Sequence, residues 1–526
     1  MIHEYLEIGL FLTAIVLMML GFPVAFTLAG TALIFAVIGQ WFGIFQFRQL
    51  NFLPQRIFGI MSNEVLIAAP LFIFMGLMLE KSRVAEDLLL TMTRLFRGLR
   101  GGLALSVVLV GMLMAASTGI VGATVVTMGL IALPVMLKQG YDPRLATGVI
   151  CASGTLGQII PPSIVLVFLG DILTYANQQA NLKAGKASGV SVGVGDLFAG
   201  SLVPGLLLVL AYALHVVVLA WMRPASAPAM VEQAGAADLT RGQRWAMFWG
   251  GLVAPGALVV AVLGSILGGI ATPTEAAAVG AIGATLLAGI RAASGRGVGL
   301  MLAGVAAAIG LMVINGFFNL LILREDFSPT ETAMLWLSFG LVAVMALAVG
   351  LALWHVLRLG VLTAVVETTA RICGMIFAIL VGASLFSLTF RGLGGEETVH
   401  HLLQSLPGGL TGAMIFVMAL MFLMGFFLDF LEIVFILVPI VGPSLILLGA
   451  DPVWLGVMIA VNLQTSFLTP PFGFALFFLR GVAPPSVTTP QIYAGIIPFV
   501  AIQILMLVVI ALFPVLATGL PHLLFR

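Results

Sequence analysis

The chain has 526 residues, 61% of them hydrophobic and 8% charged, with a formal net charge of +1 at pH 7. An ordinary soluble domain carries about 25% charged residues, so a water-soluble fold could not hide this much apolar surface, whereas a bilayer solvates it directly. The balanced charge excludes a general nucleic-acid binder, and the only two cysteines, Cys151 and Cys373, lie inside apolar segments, which excludes a disulfide framework and a cysteine metal cluster.

In chain order, the first apolar segment, 6–21, follows His3 and Glu4 rather than lysines, and no small-residue cleavage site follows it. It is therefore expected to be a mature helix and not a signal peptide. Spans of a length that crosses roughly 30 Å of hydrocarbon follow at 23–39 and 62–80. The stretch 103–137 is too long for one crossing and is interrupted by Ala115-Ala116-Ser117-Thr118-Gly119, so it is expected to be a re-entrant hairpin. A helix at 145–170 carries Pro161-Pro162. The segment 174–196 is expected to be a polar external loop, with Asp171 and Asp196 at its edges facing water. After a span at 198–221 comes a cytoplasmic linker, 223–245. Spans at 246–268 and 274–291 follow, then a helix pair within 301–355 and a span at 373–390. The stretch 410–447, interrupted by Asp429 and Glu432, is a second hairpin, and spans at 453–479 and 493–517 complete the chain. The expected fold class is an all-α polytopic membrane protein with about 12 spanning helices and two re-entrant hairpins.

A repeat organises these elements. Gly140-Tyr141-Asp142-Pro143 precedes the run to Pro161-Pro162, and Gly449-Ala450-Asp451-Pro452 precedes the run to Pro470-Pro471, an offset of 309 (449 − 140) kept without a gap. Gly101-Gly102 and Gly408-Gly409 open the two hairpins. With the amino terminus outside, twice as many basic residues fall in the cytoplasm as outside, in keeping with the positive-inside tendency. The first hairpin then opens to the cytoplasm and the second to the outside, giving two inverted-topology repeats, residues 1–222 and 246–526, as expected of secondary transporters. The helix pair at 301–355 has no counterpart in the first half and is read as an insertion.

The chemistry is expected where the helices break. Two consecutive prolines remove two backbone donors, so carbonyls near 157–159 and 466–468 lose their partners at membrane depth. In hydrocarbon each such group costs roughly several kcal/mol, and bare carbonyls suit a small hard cation. A proline kink satisfied by neighbouring helices is the structural alternative. At the first hairpin tip Ser117 and Thr118 offer hydroxyls, while Gly122 is better read as close helix packing. Asp429 and Glu432 are carboxylates at membrane depth, costing roughly 2.5–3.5 kcal/mol on insertion scales. They serve either as counter-ion or proton carrier, or as a capping box. Thr272-Pro273-Thr274-Glu275 fits a capping box better than a site. No phosphate-binding Gly-x-x-x-x-Gly-Lys-Ser/Thr loop occurs, so the driving force is expected from a gradient or another subunit. An intramembrane enzyme would need a nucleophile and a base, and the sequence offers no such pair.

The segments 269–281 (Gly-x-Ala-Thr-Pro-Thr-Glu-Ala-Ala-Ala-Val-Gly-Ala), Gly154 to Ser163, Gln464 to Phe472, and Asp429 after its glycine-containing run resemble the large membrane subunit of TRAP (tripartite ATP-independent periplasmic) transporters. The resemblance covers most of 5–291 and 356–520. It implies an elevator-type secondary transporter in a bacterial inner membrane, importing a small organic acid with Na+ as coupling ion and no cofactor. It also implies a separate small membrane subunit and a periplasmic substrate-binding protein as partners. Proton coupling, or less readily a channel, is the alternative. Carried over by motif, one Na+ site falls at Ser117, Gly157, Ile159 and Pro162, and the other at Asp429, Ser466, Leu468 and Pro471, mostly through main-chain oxygens. The substrate carboxylate falls between the hairpin tips, at Thr118, Gly119, Thr155, Gln464 and Thr465. The insertion at 301–355 and the long segment 174–196 depart from the common pattern and resemble a branch associated with 2-oxo monocarboxylates or aromatic acids.

Overall fold

A computed structural model describes residues 2–186, 192–229, 242, 245, 248–293, 296–318 and 328–525. Among these residues every regular element is helical. Nine helices are long and apolar enough to cross a membrane, or up to 12 when each bent pair counts as one span.

Both broken helices are entered through the same turn, and the sequence explains it. A glycine takes the left-handed conformation (Gly140, φ +81°; Gly449, φ +104°) that a side chain would oppose. The following aspartate caps the helix, Asp142 accepting from the Arg144 amide at 2.9 Å and Asp451 from the Val453 and Trp454 amides at 2.9 and 3.0 Å. Proline fills the first helical position, where its missing N–H costs nothing. The first helix runs Pro143–Thr155, tightens to a 3-10 turn at Leu156–Gln158, breaks, and resumes as Ile164–Lys183. The second runs Pro452–Leu468 and resumes as Phe474–Val482. The Pro161-Pro162 and Pro470-Pro471 bonds are both cis.

The first hairpin has arms Gly102–Thr118 and Val121–Lys138. The second has arms Leu410–Met424 and Phe430–Ile436, the latter bent by 55° into Val438–Leu447. That bend was not expected from the sequence. The returning arm of each hairpin crosses to the other repeat. Gly122 lies against the Phe478 ring, where an added Cβ would sit 2.9 Å from it, so close packing is the reading the structure favours there. Reciprocally, Phe435 of the second hairpin stacks edge-on with Phe168 at 5.1 Å. Hairpins and broken helices thus interlock as one unit. Around it lie Val24–Trp41, Glu64–Lys81, Pro273–Ala292 and Val361–Gly392, in paired contact. The inserted pair is two helices, Arg296–Phe317 and Pro329–Arg358, seated on Pro273–Ala292 through Gly289 and Ala352.

The crossing of Pro143–Thr155 with Thr489–Leu512 is among the closest. A Cβ on Gly495 would fall 2.0 Å from the Arg144 carbonyl oxygen, a backbone atom that cannot swing aside. Gly495→Ala is therefore expected to cost about 1–3 kcal/mol, read as a lowered unfolding midpoint of the detergent-solubilised protein. Gly374→Ala, on an open helix face, is the control and leaves the midpoint in place.

Three sequence expectations need correction. Residues 174–183 are not loop: Ile164–Lys183 is one helix, because Ile172, Leu173, Ala176 and Ala180 form a buried stripe at helical spacing that their polar neighbours disguise. Asp171 is not free in water but accepts from the Asn63 side chain at 2.8 Å. The span expected at 373–390 belongs to a longer helix, Val361–Gly392. Residues 230–241, 243 and 244 of the expected linker lie outside the described residues. Thr272 and Glu275 do form a reciprocal capping box, with bonds of 3.2 and 2.8 Å.

Candidate functional site

At the first break the helical partners of the Gly157 and Gln158 carbonyls would be the nitrogens of Pro161 and Pro162, which carry no hydrogen. The Ser163 hydroxyl donates to the Gln158 carbonyl at 3.1 Å. The Gly157 carbonyl has no hydrogen bond among the described residues. The first hairpin tip spans this gap. Gly157 has no side chain because Ala115 occupies the space, its carbonyl oxygen 2.9 Å from where a Cβ would be. Gly119, at φ +60°, sits over the start of the resumed helix, an added Cβ lying 3.2 Å from the Ile164 nitrogen. The Ile159 carbonyl oxygen lies near Gly205 of Val194–Met222, 3.6 Å from where a Cβ on that glycine would be. Residues 156–163, Pro162 included, are all buried. The side chains of Ser117 and Thr118 lie outside the described residues; their backbone ends the helical arm.

At the second break the Ser466 carbonyl keeps a donor, the Thr469 amide at 3.1 Å, and the Phe467 carbonyl has none among the described residues. Pro471 is exposed, and its carbonyl accepts from the Tyr493 hydroxyl at 2.9 Å. Leu468 ends the helix and is buried. The second hairpin tip approaches as closely as the first, with the roles exchanged: the glycine is on the hairpin, and a Cβ on Gly425 would lie 2.1 Å from the Ser466 hydroxyl. Asp429 and Glu432 form a capping box. The Asp429 carboxylate accepts from the Phe430 amide at 2.8 Å, and Glu432 accepts from the Asp429 amide at 3.1 Å. Both side chains remain partly exposed.

The breaks meet through Thr155 and Gln464, whose side chains bond at 3.3 Å. They are 309 residues apart, the repeat interval, so each residue touches its own counterpart, as expected on the pseudo-two-fold axis of an inverted repeat. Thr465 is equally buried, but its hydroxyl returns to the Val461 carbonyl at 2.7 Å. Sequence reasoning missed the continuation of this network. Gln464 lies in reach of the Tyr212 hydroxyl, which accepts from Gln503 at 2.7 Å, both residues fully buried. It also passed over Gln158, a fully buried amide at the first break with neither end hydrogen-bonded among the described residues. A lone amide in an apolar run was the available signal.

Two hairpin tips set against two interrupted helices, related by a repeat, define a multi-pass membrane protein of transporter architecture. The chain matches the family described as tripartite ATP-independent periplasmic transporter, DctM component, over residues 11–314 and 291–516, and it belongs to that family. It is 29% identical to the C4-dicarboxylate TRAP transporter large permease protein DctM of Vibrio cholerae over 98% of this chain and 97% of that one. It is 25% identical to the ectoine TRAP transporter large permease protein TeaC of Halomonas elongata, covering 98% of each. With the sialic acid TRAP transporter large permease protein SiaM of Vibrio cholerae it shares 24% identity over 96% of each. Among solved structures, the Alcanivorax borkumensis YdaH transporter superposes with a TM-score of 0.54 over 90% of this chain and 89% of that one, at 17% identity, a likeness of fold.

Proposed function

We propose that the chain imports a small organic acid across a bacterial inner membrane, driven by a Na+ gradient. A periplasmic binding protein delivers the substrate, and a separate small membrane subunit completes the complex. The observation that carries this reading is the undonated Gly157 carbonyl, buried at the first break beside Ala115 of the first hairpin; at the second break the Phe467 carbonyl is likewise undonated among the described residues. A buried carbonyl without a donor favours a cation, and hard oxygen ligands suit Na+. The first ion site is assigned to Ser117, Gly157, Ile159 and Pro162, and the second to Asp429, Ser466, Leu468 and Pro471. The substrate carboxylate is assigned to the space between the tips, beside Thr118, Gly119, Thr155, Gln464 and Thr465. In an elevator-type cycle the interlocked hairpins and broken helices move together against the outer helices.

The test is uptake of radiolabelled organic acids by proteoliposomes holding this chain with both partners. Replacing external Na+ by choline is expected to reduce uptake to the leak level. Undiminished uptake that instead follows a proton gradient rejects Na+ coupling.

A further inference from the structure

A cavity with mainly apolar walls and a few polar side chains lies apart from the paired breaks. It encloses about 460 Å3, within the range of about 300–1,000 Å3 usual for small-molecule sites. Its walls come from Leu53–Met61, Glu64–Lys81, Ile164–Lys183 and Val361–Gly392, with Phe435 of the second hairpin closing one side. Opposed elements supply its polar groups: Arg56 and Asn63 from one side, Asp171 and Tyr175 from a second, and Ser384 and Ser387, one helical turn apart, from a third.

The charges around this cavity do not cancel. Glu396 serves two cations at once, 2.5 Å from Arg391 and 3.2 Å from Lys183. Asp171 is engaged by the Asn63 amide at 2.8 Å. Arg56 feels Tyr175, Arg391 and Glu396 electrostatically, yet among the described residues no carboxylate lies within 4.0 Å of its guanidinium. Of the charged side chains only Arg56 and Asp171 line the cavity, and Asp171 is already engaged by Asn63; beside the cavity Arg391 and Lys183 share the single carboxylate of Glu396, leaving that cluster one positive charge in excess. A partly buried guanidinium with no carboxylate in direct contact among the described residues, lining a space that holds hydroxyls, is a donor fork open to an acceptor. The acceptor that matches its geometry is a carboxylate, taken through two parallel N–H···O bonds.

We propose that this cavity is a second anion subsite, in which Arg56 holds a carboxylate of a small organic acid while Tyr175, Ser384 and Ser387 offer hydroxyls to the rest of it. The class of occupant rests on the organic-acid reading above; the positive potential does not. The residues around it belong to the face that the basic-residue count places outside, so the subsite would receive the anion before it reaches the hairpin tips.

The test needs neither transport nor partner subunits. In the full chain in liposomes, with Cys151 and Cys373 replaced by alanine, Ser387→Cys reports the cavity through its reaction rates with an anionic and a cationic methanethiosulfonate reagent. The anionic reagent is expected to be favoured. Adding Arg56→Gln lowers the anionic-to-cationic rate ratio about tenfold, Arg56→Lys largely keeps it, and Asp171→Asn raises it. Succinate or pyruvate slows modification of the Arg56 protein and not of the Arg56→Gln protein. A ratio indifferent to Arg56→Gln, or moved the same way by Arg56→Gln and Asp171→Asn, overturns the subsite, and so does absence of protection by both acids. Transport that proved independent of Na+ would leave these rates untouched, so the two readings fail separately.

Discussion

Asp429→Asn is expected to weaken the apparent affinity for Na+ at least tenfold, about 1.4 kcal/mol, while leaving the unfolding midpoint nearly unchanged. The two effects separate because Asp429 does two jobs. As an N-cap it accepts a hydrogen bond from the Phe430 amide at 2.8 Å, and asparagine can accept that bond as well. As a proposed counter-ion it supplies a negative charge, which asparagine lacks. Asp429→Ala removes both and should add a stability loss of about 1 kcal/mol, the usual worth of a cap. The measurement is Na+-dependent uptake across a concentration series, paired with thermal unfolding of each variant. If Asp429→Asn transports with the parental Na+ dependence and only Asp429→Ala is impaired, the capping box is the whole role of this residue. If Asp429→Asn instead abolishes a proton-driven flux, Asp429 carries the proton. Glu432→Gln, which can still accept from the Asp429 amide, should resemble the parent in stability.

How far the sequence anticipates this arrangement depends on the range over which each feature is encoded. The entry turns at 140–143 and 449–452 are legible because left-handed glycine, aspartate cap and first-turn proline act within four residues. The breaks are legible for the same reason: a proline pair ends a helix whatever surrounds it. The helix through 174–183 was hidden because Asn177, Gln178 and Gln179 advertise a loop, and its apolar stripe has meaning only under the second hairpin. Asp171 pairs with a residue 108 positions away, and Gln503 with Tyr212 across 291. No local pattern announces such partners. The meeting of Thr155 with Gln464 is an intermediate case: the repeat interval could be read, but only the fold brings the two counterparts onto one axis. The cavity around Arg56 is the least legible feature, since six separate elements wall it.

The largest effect of all is expected at the second hairpin tip, where Gly425→Ala should cut uptake by about a hundredfold, the scale on which a displacement near 1 Å degrades a preorganised site. A Cβ there would fall 2.1 Å from the Ser466 hydroxyl and 2.7 Å from the Ser466 Cβ, and that hydroxyl is already bonded to the Leu463 carbonyl at 2.8 Å. The tip has to lift away from the break. Position 466 is the counterpart of position 157 (466 − 309), and at the first break the glycine is on the helix while alanine, Ala115, is on the hairpin. The first repeat therefore contains the compensating solution. Ser466→Gly combined with Gly425→Ala puts glycine on the helix and alanine on the hairpin, the same division of sizes as Gly157 and Ala115, and should restore most of the lost uptake. Ser466→Gly alone should be mild, because the proposed ion site uses this residue through its carbonyl, which glycine retains. Uptake by right-side-out vesicles, normalised to the amount of inserted protein, measures all three variants. A double variant no better than Gly425→Ala would show that the close approach of tip to break is not what that substitution destroys, and the pairing of each hairpin with its break would lose its role in transport.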